Sequence, residues 1–398
     1  MTVPTARPNN LELFGERRHP QPPFAHEHEE FRLSVRKWVT EHLTPSAREW
    51  EERCEFPNEV FRWCGERGLL GLKFDTAVGG QGCDLAAEAV FVEELQWCRS
   101  GGVAAAIGAH IAIALPVIAR AGTPDQRDRY LLPGIRGEII GALAVSEPDA
   151  GSDVSRVRTS GRRVVGGWIV NGSKMYITNG VRSDFIVTAT RTNDRPGSRG
   201  LSLLIIDRTS PGVNAHRLGK MGCRTSDTAV ITFDDVFVPD ENLISEEGQA
   251  HSLIKGSFEW ERIHMSLVAL GAMTAWFGPT YHHVTIRQAF GGPLSTKQVV
   301  QHKVATAASR ILTSRAVTYD ALRRYIAGEH CTAHAATAKL ATQRTACEVL
   351  DSFLQLHGGA GYLEETGIER AYRDARLGPI GGGTDEIMCE ILAKELGL

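Results

Sequence analysis

The sequence predicts an α+β fold in which helices come first, strands follow and helices return, and three changes of texture carry that expectation. From His26 to about Gly137 apolar residues recur at steps of three and four. From near Ala142 to about Asn242, Gly, Ser, Thr and β-branched residues form short apolar runs between turn formers. From about Gly248 to Leu398 long helical patterns return, rich in Ala, Leu, Glu, Lys and Arg. The expected parts are a loose tail over 1–25, a helical domain over 26–140, a small β domain over 141–247 and a second helical domain over 248–398.

The tail holds Pro4, Pro8, Pro20, Pro22 and Pro23 with mixed charge and no apolar run suited to a signal peptide. In the first helix Phe31, Val35, Trp38, Val39 and Leu43 are interleaved with charged Glu27, Glu29, Glu30, Arg36 and Lys37, an amphipathic pattern. Helices over 56–68 and 86–99 follow, with Gly68, Gly79-Gly80 and Gly101-Gly102 as breaks. The longest apolar stretch, Val103 to Ala119, is interrupted by Gly108, His110 and Pro116 and falls short of the ~20 residues of a bilayer span, so no membrane span is expected. Strands are expected over 167–172, 184–190, 201–206 and 229–233. In the last domain Gly291-Gly292-Pro293 and 357–361 punctuate the helices.

With 398 residues, 42% hydrophobic and 23% charged, and a net charge of -3, the chain has the size and surface of an enzyme of two or three domains. It lacks the Lys and Arg excess that a phosphate backbone requires, so nucleic acid is not an expected partner. Eight cysteines without a CxxC pair read as free thiols in a reducing compartment, and a cytoplasmic location is expected. No GxxxxGK[ST] loop, no GxGxxG after a strand, no HExxH and no GxSxG elbow occurs. Nucleotide hydrolysis, Rossmann chemistry, acyl hydrolysis and a metal site are therefore not indicated.

Three separated segments carry a family resemblance. The first is Ala144-Val145-Ser146-Glu147-Pro148-Asp149-Ala150-Gly151-Ser152-Asp153, and the second runs from Val170-Asn171-Gly172-Ser173-Lys174 through Met175-Tyr176-Ile177-Thr178-Asn179-Gly180. The third combines Gln355-Leu356-His357-Gly358-Gly359-Ala360-Gly361-Tyr362 with Ile380-Gly381-Gly382-Gly383-Thr384-Asp385-Glu386-Ile387. Between them stand Glu261-Arg262-Ile263 and Arg287-Gln288-Ala289-Phe290-Gly291. In this order and spacing the set resembles the acyl-CoA dehydrogenase family over roughly His26 to Leu398. The resemblance implies a middle β domain before a four-helix carboxyl-terminal domain, and FAD held without a Rossmann fold. It assigns Val145, Ser146, Tyr176, Ile177, Thr178 and Thr384 to the flavin's polar rim. Arg287, Phe290, Gln298, Gln355 and Gly359 would hold its adenosine and pyrophosphate end, partly from a neighbouring subunit, although Arg287 alone reads equally as a solvated helix residue. Ser152, Arg262 and Gly381 would contact the thioester substrate.

Desaturating an acyl thioester needs a base for the α-proton, a carboxylate in a dry pocket. Many family members carry it two residues before the Thr of the last motif, where this chain has Gly382. A subset that includes long-chain and isovaleryl-type enzymes places it before an arginine on the earlier helix, where Glu261 precedes Arg262. Independently, Ile254, Phe258, Glu261, Met265 and Val268 follow steps of four, three, four and three, which puts Glu261 on an apolar stripe and predicts its desolvation. Asp385 is the rival carboxylate. The N–H of Gly382 still serves as a donor to the thioester carbonyl.

Gly381 and Gly382 remove bulk beside the acyl chain, and Gly101, Gly102, the alanines 104–106 and Gly108 suggest further room, unless they mark close helix packing. A bulky, branched or longer acyl group is expected, carried on CoA or an acyl carrier protein. The resemblance also implies an electron-transferring flavoprotein as acceptor and a homotetramer or homodimer. The alternatives are a related flavin oxidase or monooxygenase, a carrier-protein-linked dehydrogenase of secondary metabolism, and a non-catalytic flavoprotein.

Overall fold

The structure, a computed structural model, describes residues 20–398 apart from the side chains of 255 and 257, so most of the expected tail lies outside the described residues. The chain divides into two compact units. Among the described residues, one comprises 20–48, 89–101 and 265–398, and the other 49–88 and 102–264.

The first unit is helical. Its elements are α1 (His26–His42), most of α2 (Leu85–Leu95), the later part of α4 (Ala250–Ile286), α5 (Gln298–Ile326), α6 (Thr332–His357), α7 (Ile368–Ala375) and α8 (Asp385–Glu395). α1 buries Val35, Trp38 and Val39 as its period requires. Arg36 departs from the amphipathic reading, for it is buried together with Arg32. The reason is Glu94 of α2, whose carboxylate receives Arg36 Nε at 2.6 Å and Arg32 Nη1 at 2.7 Å. Burying these charges is tolerable only because each is paired.

The second unit is built on an eight-stranded sheet in the order β6-β7-β3-β2-β4-β5-β8, with β1 beside β4. The strands are β1 (Gly141–Ala144), β2 (Ser160–Val164), β3 (Gly167–Thr178), β4 (Phe185–Arg191), β5 (Leu201–Asp207), β6 (Val213–Arg217), β7 (Thr228–Pro239) and β8 (Leu243–Ile244). β3 and β7 run well beyond the segments expected from sequence, because the motif stretch through Thr178 continues the ladder with β7. β1 and β4 run parallel, whereas β3 with β7 and β4 with β5 are antiparallel. One face of the sheet packs Val187, Leu203 and Ile205 against Leu115, Ile118 and Leu131.

α3 spans Gly101–Ala121 without a break, and its 21 residues exceed the apolar stretch read as too short for a bilayer span. A π turn over Ala109–Ala114 shifts the ladder, so Pro116 falls in the first turn of the next α segment, where its missing N–H costs little. His110 is buried and satisfied on both nitrogens, by the Gly134 carbonyl at 2.9 Å and the Gly141 N–H at 3.0 Å. The helix is long and apolar enough to cross a membrane, yet 78% of its apolar window is buried by protein, as in a core helix.

The small residues of α3 mark close packing rather than substrate room. A Cβ on Gly102 would lie 2.1 Å from Thr225 Oγ1 and 2.6 Å from the Ser226 nitrogen, and one on Gly108 would lie 2.6 Å from His264 Nε2. Gly102→Ala should therefore destabilise the protein by about 1–3 kcal/mol. Thermal melting checks this, and an unchanged midpoint would contradict the packing described.

Candidate active site

β1 ends at Ala144, and the next residues leave the sheet in a loop governed by one carboxylate. Glu147 is 6% exposed. It accepts the Arg158 N–H at 2.8 Å, the Thr159 N–H at 2.9 Å, the Thr159 hydroxyl at 2.6 Å and Lys174 Nζ at 2.8 Å. Burial pushes its carboxyl upward, but Lys174, Thr159 and Arg158 outweigh burial and hold it below the usual carboxylate range. Lys174, wholly buried in β3, also donates to the Val145 carbonyl at 3.1 Å. The Met175 N–H donates to the Ser146 carbonyl at 2.9 Å. β3 slips register against β7 between Lys174 and Ile177, and there Tyr176 takes a φ of +65° with its side chain 65% exposed. Val145, Ser146, Tyr176, Ile177 and Thr178 are thereby brought together at the bulge, while Ser152 stands exposed farther along the loop.

In the helical unit, α4 runs into a hairpin of β9 (Gln288–Ala289) and β10 (Gly292–Pro293). Its turn holds Phe290 at φ +51° and Gly291 at φ +81°, and the Phe290 ring is 95% exposed. His283 of α4 stacks on His357 of α6 with ring centroids 4.4 Å apart, which draws the Arg287 and Gln355 ends of the two helices together. Arg287, Gln298 and Gln355 are exposed, and among the described residues their side chains have no hydrogen-bond partner. A Cβ on Gly359 would meet nothing within 4 Å.

The glycine loop before α8 is also fixed from beneath. Lys339 of α6, wholly buried, donates to the carbonyls of Gly378 and Gly383. Gly382 sits at φ +60° and Gly383 at φ +85°, a conformation that excludes most side chains at little cost only to glycine. The Gly382 N–H has no acceptor among the described residues. A Cβ on Gly381 would meet only Leu377, at 3.6 Å. Thr384 caps α8, accepting the Ile387 N–H at 3.4 Å. Asp385 is committed to Arg344, whose Nε donates to it at 2.7 Å.

Glu261 lies half-buried on α4, and this corrects its expected desolvation on a core stripe. The buried stripe is the adjacent one, Trp260, Ile263, His264, Leu267 and Leu270, while Phe258, Glu261, Met265 and Val268 are only half-buried. The helix is apolar around most of its circumference, so period alone did not choose the face. Trp260 anchors the turn, its indole N–H donating to Glu88 at 3.2 Å, and Lys73 pairs with the same carboxylate at 2.8 Å. Burial pushes the His264 imidazole down to about 3, with Lys73 adding to the shift, so it is neutral at ordinary pH. Arg262 lies 5.6 Å from the Phe258 ring centre. Burial lowers its guanidinium, against the attraction of Glu261 and Glu259.

Lys174, Glu147 and Lys339 had no assigned role in the sequence. Lys174 was detectable by parity, since Trp168, Val170 and Lys174 alternate onto the buried face of β3. Glu147 and Lys339 meet partners remote in sequence and left no such trace.

These groups fit FAD. Arg287, Gln298 and Gln355 offer a guanidinium fork and two carboxamides uncommitted within the chain, matched to a diphosphate and hydroxyls. The loop at the β3 bulge offers the Ser146 N–H, which has no backbone acceptor among the described residues, to the flavin's polar rim. Comparison with known proteins agrees. The acyl-CoA dehydrogenase N-terminal, middle and C-terminal domain models match residues 25–138, 142–236 and 251–397. A mitochondrial long-chain specific acyl-CoA dehydrogenase of Mus musculus is 36% identical over 94% of this chain and 87% of its own length. A mitochondrial isovaleryl-CoA dehydrogenase of Arabidopsis thaliana is 34% identical over 92% of this chain and 90% of its own. The crystal structure of a putative acyl-CoA dehydrogenase from Mycobacterium smegmatis superposes with a TM-score of 0.91 at 39% identity, covering 94% of this chain and 98% of that one. The chain belongs to the acyl-CoA dehydrogenase family, FAD-dependent oxidoreductases that act on CH–CH bonds.

Proposed function

We propose that Glu261 is the base that removes the α-proton of the acyl-CoA substrate. The observation that carries this reading is the contrast among the three candidate positions. Glu261 is a half-buried carboxylate on a helix anchored by Trp260, Gly382 has no side chain, and Asp385 is buried with one oxygen paired to Arg344, so protonating it would weaken that ion pair. Half-burial suits a base, which needs partial desolvation to raise its affinity for the proton and an open side to meet the substrate.

Bound FAD supplies the acceptor for the β-hydrogen, which leaves with its bonding pair as hydride. Glu261 takes the α-hydrogen as a proton, and the electron pair released from that bond becomes the second bond of a trans-2-enoyl thioester. Negative charge gathers on the thioester oxygen as the proton departs, and the uncommitted N–H of Gly382 donates to it. Arg262 and Ser152 hold the substrate, and Arg287, Phe290, Gln298, Gln355, Gly359 and Thr384, with the residues at the β3 bulge, hold the cofactor.

The acyl group is bulky, branched or long in this reading. Gly381 has an ordinary backbone, and a Cβ there would make only ordinary van der Waals contact with Leu377, so nothing in the chain's own packing demands a glycine there. An electron-transferring flavoprotein serves as acceptor, and the outward Phe290 ring, 95% exposed, suits a homotetramer or homodimer. Eight unpaired cysteines suit a reducing, cytoplasmic setting.

Anaerobic mixing of the yellow protein with straight, branched and long acyl-CoA esters, followed by bleaching of the flavin band, tests the reading. Glu261→Gln should slow bleaching at least ~100-fold, as expected for loss of a general base. Asp385→Asn should stay within about tenfold of the parent protein, a rise in the barrier of no more than ~1.4 kcal/mol. Normal bleaching by the Glu261 variant would move the base elsewhere, and rapid reoxidation by air would favour an oxidase. Gly381→Tyr should suppress turnover of branched and long esters while sparing butyryl-CoA, and an unchanged profile would remove Gly381 from the acyl pocket.

A further inference from the structure

A carbonyl and the N–H that follows it belong to one peptide group, and a donor to the first strengthens the second as a donor. The Val145 carbonyl and the Ser146 N–H are such a pair. Lys174 Nζ donates to that carbonyl at 3.1 Å from a wholly buried position, where its charge is poorly screened. The Ser146 N–H meets no acceptor among the described residues, and Ser146 is half-exposed. A peptide group is thus polarised on its inner side by an ammonium and presents its N–H outward.

Glu147 complicates the arrangement in an informative way. Its carboxylate holds the same ammonium at 2.8 Å and is itself held by the Arg158 and Thr159 N–H groups and the Thr159 hydroxyl. The field at the Ser146 N–H is therefore a balance of a cation and an anion on neighbouring sites. Had the pair served only to fasten the loop, the Thr159 contacts and the bond from Met175 to Ser146 would already fasten it.

We propose that Lys174 is a positioning residue that sets the reduction potential of the bound flavin through the Ser146 N–H, with Glu147 attenuating its charge. The proposal rests on the reading that Ser146 meets the flavin rim. The ring's acceptor atoms gain negative charge as electrons arrive, so a strengthened donor there favours the reduced form. Lys174→Met should lower the potential, and Glu147→Gln, which leaves the ammonium without its counter-charge while keeping an oxygen for Thr159 and giving up only the bond from the Arg158 N–H, should raise it.

Midpoint potentials of the holoproteins, measured anaerobically against redox dyes together with flavin content and melting temperature, test this. We expect opposite signs, each about a tenfold change in the two-electron equilibrium, or about 30 mV. Should Lys174→Met fail to fold because a buried carboxylate is left unpaired, the double variant Glu147→Gln, Lys174→Met removes that charge and should still lie below the parent. Shifts of the same sign, or none in variants that keep their flavin, would overturn the proposal, since a loop merely loosened predicts cofactor loss without a sign change. A yellow parent bleached by thioester with unmoved variant potentials would sink this inference alone. A parent that binds no flavin would sink the functional reading with it.

Discussion

A lysine ammonium buried inside a sheet cannot go unpaired, and the requirement to satisfy Lys174 organises the catalytic face of the β domain. Removing one partner from such a pair costs roughly 3–5 kcal/mol, so the loop after β1 has little freedom to leave. Lys174 fixes Glu147 and the Val145 carbonyl, Glu147 fixes Arg158 and Thr159, and the next residue, Met175, fixes Ser146. The bulge that follows frees Tyr176 from the ladder and turns it outward. One buried charge thus converts a polar loop into a rigid set of donors.

The helical unit uses the same device. Lys339 is wholly buried and holds the glycine loop through two carbonyls, so a segment with almost no side chains of its own keeps a defined shape. In that loop Gly382 is valuable for what it lacks. It has no carboxylate, in keeping with the role proposed for Glu261, and its left-handed backbone leaves an N–H without an acceptor among the described residues. The proposed base sits on α4, a long helix whose neighbouring stripe is anchored by Trp260 and Ile263. A base on a regular helix is held by packing on either side, whereas one on a glycine loop would depend on that loop alone.

Much of the fold was legible where a period survives in the residues. Val35, Trp38 and Val39 announce α1, and the runs around Ile186 and Leu203 announce β4 and β5. β1, β2, β6 and β8 were missed because none of them is longer than five residues. The continuation of β3 was missed because Ser173 to Thr178 reads as polar turn chemistry until β7 is beside it. Arg36 looked like a surface charge since its partner, Glu94, lies on another helix. α3 outruns the apolar stretch read from Val103 to Ala119 because a π turn carries the helix past Pro116. The motif segments that identify the family were legible by order and spacing. The face of α4 was not, because a helix apolar around most of its circumference hides which stripe is buried.

The central claim is that Glu261 moves the α-proton, and it is best isolated from hydride transfer. A thioester such as 3,3-dimethylbutyryl-CoA has α-hydrogens but none on its β-carbon, so only the proton step can occur. Incubated in D2O with the FAD-loaded enzyme, it should take up deuterium at the α-carbon, read by mass spectrometry. Exchange is expected with the parent protein and with Asp385→Asn, and none above the enzyme-free rate with Glu261→Gln. Undiminished exchange in the Glu261 variant would contradict it.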